Sequence, residues 1–272
     1  MLPSESNAGN AIVSTDTPNP PSPTADERAA DVAARVNQAW DRIEAFASRK
    51  HPPLLASLRP GVDPTLLAKF EATFGLRFPA GLRASLLRHD GQEHLVAGKP
   101  SLPLLWLFGA YRLNNLASMA ETAEEWKSWA ALGEVTSSGQ WMPIASSTGG
   151  EVISVDLATD RLDIYQHDDE TGELSYPFAD LGQHLHWLAD ELEGGKMTLD
   201  AKTGLFKRPI PRQEAVLDCA EEVLDEVLDA GGAGASLVRA VSARLGEPAW
   251  LIGRRYGYDL AELVEEALNF EE

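Results

Sequence analysis

Three histidine-bearing clusters are the places where this chain carries side chains suited to acid–base or metal chemistry. His89-Asp90-Gly91 sets an imidazole beside a carboxylate, the parts of an acid–base couple. The triplet also closes a run that reads as a helix, and a histidine near the negative helix end is explained by the dipole alone. His167-Asp168-Asp169 is a polar cluster at a strand end, with oxygen donors suited to a divalent cation. Acidic turns of that kind are common in acidic chains. His184-x-His186 falls on a helix, where residues two apart point roughly 200° apart and do not readily share a metal. A hydrolytic nucleophile has less support. There is no Gly-x-Ser-x-Gly, and the single cysteine, Cys219, lies on an apolar helical stripe as a buried, inert thiol. No Walker A pattern occurs, and Gly231-Gly232-Ala233-Gly234 does not follow a strand. The expectation is a protein without catalytic residues, bound metal or cofactor.

The elements that would position these groups are legible from periodicity. Residues 1–25 are rich in Pro, Ser, Thr and Asn, which predicts a disordered arm with too little apolar surface to offset chain entropy. Val32, Val36, Trp40, Ile43 and Ala47 then mark one helical face, ended by His51-Pro52-Pro53. Asp63 as cap and Pro64 in the first turn open a second helix that Gly75 stops. Pro79 opens a third, closed by Asp90-Gly91. Residues 95–112 fit a buried strand or a helical turn equally well. Ser118 with Glu121 has the capping-box spacing for a helix carrying Ala123, Trp126 and Ala130. Trp141 to Ile144, Glu151 to Leu157 and Leu162 to Gln166 read as strands, the last two joined by a hairpin turn at Ala158 to Arg161. Phe178, Leu181, Leu185, Leu188 and Leu192 mark a helix ending at Gly194-Gly195.

Beyond it, residues 196–212 form a basic, proline-bearing linker, and three helical stripes follow: Val216 to Leu228, Leu237 to Leu245, and Leu260 to Leu268. The expected organisation is an arm at 1–25, an α+β domain at 26–195, a linker at 196–212 and an acidic helical unit at 213–272. Trp250 and a turn at Tyr256-Gly257-Tyr258 are candidates for a staple between the two folded parts.

Charge narrows the function classes. The chain holds 23 Lys+Arg against 42 Asp+Glu, a net charge of −19, which opposes general nucleic-acid binding and suits a basic partner. From Glu214 to Glu272 there are 14 acidic and 4 basic residues, so more than half the charge sits in the helical unit. One cysteine excludes an internal disulfide framework. No segment reaches the apolar length of a membrane helix, and Met1 to Glu5 lacks a basic signal-peptide start. The expectation is a cytoplasmic protein.

Several blocks, in order, resemble the SUKH superfamily, whose founder is the fungal cell-wall-synthesis regulator of the Smi-one/Knr-four type. Trp40-x-x-Ile43-Glu44 looks like its opening helix. Phe70-Glu71-x-x-Phe74-Gly75 with Phe78-Pro79 and Leu82 is similar to its "E-x-x-x-G-x-x-LP" signature. His89-Asp90-Gly91-Gln92 looks like the fungal variant of its "N-G" turn, and Trp126-x-x-Trp129 falls in the expected helix. Trp141-x-Pro143-Ile144, Gly149-Gly150 and Val155-Asp156-Leu157 resemble its "WIPI…GG…I-x-x-DL" core. The chain departs at 146–148, where Ser146-Ser147-Thr148 replaces an acidic residue often seen before the glycines. The resemblance covers about residues 36–195.

It implies an α+β domain of N-terminal helices, antiparallel meander and closing helix, and it implies binding rather than chemistry. Bacterial members look like immunity proteins that neutralise toxins, and fungal members act as interaction hubs. The leading expectation is an inhibitor of a basic, possibly nuclease, toxin; the alternative is a regulatory interaction scaffold. The partner would be a protein, with no direct nucleic-acid or membrane contact. The motif residues that would contact it are His89, Asp90, Gly91, Gln92, Trp141, Pro143, Gly149, Gly150 and Asp156. Each also has a plainer role, the glycines as turns, Trp141 as core and Asp156 as a loop brace.

Overall fold

The computed structural model describes residues 24–100, 103–106, 110–132, 141–147, 151–159, 161–165, 178–199, 206–232 and 234–269. The long first helix, α1 (Ala25–Lys50), opens inside the stretch expected to be an arm, because Thr24 and Glu27 cap it reciprocally. Asp26 and Glu27 sit at its positive end, Arg49 and Lys50 at its negative end. The expected stripe is its buried face: Val36, Trp40, Ile43 and Ala47, joined by Ala39. Pro52 then starts a short helix not foreseen, α2 (Pro52–Ser57). In α3 (Pro64–Phe74) the Asp63 carboxylate accepts from Thr65 N and Leu66 N, and Gly75 ends the helix at φ +63°. Helix α4 (Ala80–Arg88) lies against α1.

Residues 95–112 resolve into short strands: β1 (Leu95–Val96), β2 (Lys99–Pro100), β3 (Leu105–Trp106) and β4 (Ala110–Leu113). After helix α5 (Leu116–Leu132) come β5 (Trp141–Ser147), β6 (Val152–Asp156) and β7 (Leu162–Tyr165). The main sheet is antiparallel, in the order β3-β4-β5-β6-β7, so the expected meander is present. Pro143 lacks an N–H for the ladder, and the β5–β6 register shifts just after it. The closing helix α6 (Leu181–Glu193) returns to α1, where Arg42 bonds both Asp190 at 2.7 Å and Glu193 at 2.5 Å. A small hairpin of β8 (Thr198–Leu199) and β9 (Phe206–Lys207) follows. Last come α7 (Gln213–Asp229), α8 (Gly234–Leu245) and α9 (Ala249–Asn269). The described residues are thus mixed α+β and mostly helical.

Two apolar clusters result. One gathers α1, α4, the sheet and α6 around Trp40, Ile43, Ile153 and Leu185. The other lies within α7–α9 around Val216, Leu237, Val241 and Leu260.

Two sequence expectations need correction. Ser118 does not cap α5: the helix starts two residues earlier, and the Asn115 side chain accepts from Ser118 N at 2.8 Å. Tyr256-Gly257-Tyr258 is not a turn but part of α9, which begins well before Leu260. Tyr256 faces the second cluster and Tyr258 stands exposed.

Candidate functional site

The turn after α4 holds four of the motif residues, His89, Asp90, Gly91 and Gln92. His89 caps α4, and its ring bridges two elements: Nδ1 lies 3.0 Å from Arg59 O, Nε2 2.9 Å from Glu44 Oε1. The same ring meets Trp40 edge-on at 4.7 Å, and Trp40 Nε1 donates to Ser85 Oγ. Glu44 also takes two bonds from Arg88, at 2.6 and 2.9 Å. Burial pushes the Glu44 carboxyl up, but the bonds from Arg88 and His89 outweigh it and hold the group below its usual range. The acid–base couple suggested by His89-Asp90 is therefore not formed within that dipeptide. The imidazole partners Glu44, while Asp90 Oδ1 accepts from Leu116 N at 2.8 Å, at the start of α5.

Gly91 is fixed by two independent requirements. Its φ is +74°, and a Cβ there would lie 2.5 Å from Asn115 N and 2.6 Å from the Asn114 carbonyl carbon. Gln92 is 4% exposed and ties three segments together. Its Oε1 accepts from Leu104 N and Leu113 N, and its Nε2 donates to Ser57 Oγ. Its backbone N–H adds a bond to Leu113 O. These four consecutive residues join α1, α2, α4 and β4 to the start of α5.

The strand motif sits beside this junction and extends away from it. Asn114, next to Gly91, donates to Pro143 O and accepts from Ser146 Oγ. Pro143 is buried in β5. Trp141 and Asp156 are register partners at one end of the β5–β6 ladder, both half-buried. Asp156 braces the following turn, accepting from Ala158 N and Thr159 Oγ1. Gly149 and Gly150 lie outside the described residues, but their flanks are linked: Ser147 Oγ accepts from Glu151 N, and Tyr111 donates to Glu151 Oε2. Burial, then the Glu151 charge, raises the Tyr111 phenol well above its ordinary value.

Other candidates are placed as follows. His184 is fully buried on α6 and stacks on Phe178 at 4.8 Å. Cys219 is buried, and burial raises its thiol. Its environment is that of a core side chain. His167, Asp168 and Asp169 lie outside the described residues. Among the described residues no three His, Cys, Asp or Glu side chains gather as a metal site, and no helix is long and apolar enough to cross a membrane.

Sequence reasoning placed Glu44 in the opening helix without its partners, and missed the rest of the supporting cast, Arg59, Arg88, Asn114 and Asn115. It also missed Arg208, in the stretch expected to be a linker. Arg208 is 4% exposed and donates to Glu191 of α6 and to Glu247. In an acidic chain, no local spacing marks which of many carboxylates these arginines will meet.

Comparison with known proteins matches the same region. Residues 61–187 fit the model of the SMI1 / KNR4 family (SUKH-1). A KNR4/SMI1 homolog of Yarrowia lipolytica is 34% identical over 97 residues, 36% of this chain and 12% of that protein. A glucan synthesis regulatory protein of Neurospora crassa is 28% identical over 99 residues, 36% of this chain and 17% of that protein. A KNR4/SMI1 homolog of Kluyveromyces lactis is 30% identical over 121 residues, 43% and 21% respectively. The chain thus spans only about a fifth or less of these curated relatives. The order of the motifs and the family match over the same stretch agree: residues 61–187 of this chain are similar to the SMI1/KNR4 (SUKH-1) family.

Proposed function

We propose that this chain is a non-catalytic, protein-binding regulatory module. The observation that carries the reading is the family match over 61–187, with relatives described as KNR4/SMI1 homologs and a glucan synthesis regulatory protein. Those descriptions favour the regulatory alternative over toxin neutralisation, which rests on the net charge and on the wider superfamily. The chemistry of the site is consistent with binding. His89, Asp90 and Gln92 are engaged in joining helices to the sheet. Of the motif residues described, Trp141 and Asp156 combine partial exposure with adjacency across a strand pair, and they are our candidates for partner contact. A half-buried tryptophan is the kind of residue that anchors a protein interface. In this reading the α+β part, residues 26–195, is the binding domain, and the acidic helical unit at 213–272 is an appended element.

The test is affinity capture from the native host with the tagged full-length chain and its Trp141→Ala variant, read by mass spectrometry. Several protein partners, at least some depleted at least tenfold by Trp141→Ala, are expected. One dominant stoichiometric toxin, suppressed by this chain, would replace the regulatory reading with neutralisation. Retention of no protein partner would end both.

A further inference from the structure

The helical unit is fastened to the family domain at a small, chemically defined place. The segment Glu247-Pro248-Ala249-Trp250 leads into α9, with Leu251 N and Ile252 N bonded back to Pro248 O. Its carboxylate and its ring both engage groups outside α7–α9. Glu247 Oε2 accepts from Arg208 Nη2 at 2.6 Å, and the Arg208 Nε holds Glu191 of α6 at 2.5 Å. Trp250 lies 5.9 Å from Phe178 and 5.5 Å from Trp187, edge to face with both. Phe178 stacks in turn on the buried His184, so two rings receive Trp250 and a third backs them.

Three features mark this contact as distinct from an ordinary core. The two apolar clusters have no residue in common, and among the described hydrophobic residues beyond Met197 it is Trp250 that packs against the first cluster. The family match ends at 187, at the rim of the slot, and does not include the segment that fills it. The Arg208 side chain is 1% exposed, yet its Nη1 has no hydrogen-bond partner among the described residues. An incompletely satisfied buried cation makes the clasp weaker than its two short bonds suggest.

We propose that Arg208 and the Phe178–His184–Trp187 slot form a recognition site for a helix start bearing a carboxylate and, three residues on, a tryptophan, occupied here in cis by Glu247 and Trp250. The carboxylate is read by the guanidinium and the indole by the aromatic slot, with Pro248 presetting the helical turn between them. The helical unit is then a tethered ligand of the family domain, exchangeable for a partner segment of the same acidic-x-x-Trp chemistry. This inference is independent of the regulatory reading above.

The test uses full-length wild type, Glu247→Gln, Trp250→Phe and the double variant Glu247→Gln/Trp250→Ala. Tryptic cleavage between Lys196 and Arg212 reports release, because proteolysis follows the population of the open form. The expected result is faster cleavage, by about tenfold for Glu247→Gln and more for the double variant. A synthetic peptide of residues 244–258 should bind the double variant and slow its cleavage, while the same peptide with alanine at position 250 should not. Unchanged cleavage in all variants would overturn the proposal. So would faster cleavage without peptide binding, or loss of folding of the whole chain in the single variants, either of which makes the contact mere packing.

Discussion

Gly91 carries the sharpest demand placed on any single residue in the junction. Its positive φ and the nearby Asn114–Asn115 backbone act together, so Gly91→Ala adds strain and a steric overlap at once. A loss of about 3 kcal/mol in denaturant unfolding is expected, against about 1 kcal/mol for Gly75→Ala, whose added Cβ would meet nothing and which bears only the penalty of its positive φ. Glu44 gives a pH signature with a definite sign. A carboxyl held below its ordinary value contributes stability that is complete above an unfolded-state pKa of about 4.3 and is lost as pH falls through the folded value. Wild type should therefore exceed Glu44→Gln in stability at pH 7, and the gap should close on acidification below about pH 4. A constant gap from pH 7 to pH 3, measured by urea unfolding, would count against the Arg88–Glu44–His89 bridge as its source.

Among the elements, those with local signals were readable in advance. Asp63-Pro64 and Gly75 bracket α3 because cap, first-turn proline and left-handed stop all act within the helix they delimit. The strands β6 and β7 were readable because a β-branched run at Val152, Ile153 and Val155 and an alternating run at Leu162 and Ile164 flank a hairpin turn. The start of α5 was not readable. Ser118 and Glu121 have capping-box spacing, but Asn115 caps the helix, and Asp90 reaches Leu116 N from 26 residues away. No window along the chain contains that carboxylate. The two assignments make opposite predictions: Asn115→Ala should cost about 1 kcal/mol and Ser118→Ala almost nothing, by thermal or urea denaturation. Tyr256-Gly257-Tyr258 failed for a related reason. Glycine between aromatics has the look of a turn, but burial of Tyr256 and Leu260 on one face carries α9 through it. The motif block itself was found by its order, whereas its role as a four-way junction depends on Glu44, Arg59 and Asn114, which lie far from it in sequence.

Taken whole, the molecule is two apolar clusters joined through the Arg208–Glu247 clasp and Trp250. Its charge is distributed in the same way, concentrated in the helices outside the family match. The Gln92 side chain has a consequence at this scale for how the chain reaches its native state. Its three bonds span 35, 12 and 21 residues, to Ser57, Leu104 and Leu113. All three loops must close around one amide, so their ordering entropy is met before any bond rewards it. Such a group locks late on the folding path. Gln92→Ala, which leaves the Leu104 and Leu113 N–H groups without this acceptor, should cost about 2–3 kcal/mol and appear mainly as faster unfolding, with refolding nearly unchanged in stopped-flow traces. The junction around Gln92 then acts chiefly as a brake on opening, setting the lifetime of the folded domain more than the speed at which it forms.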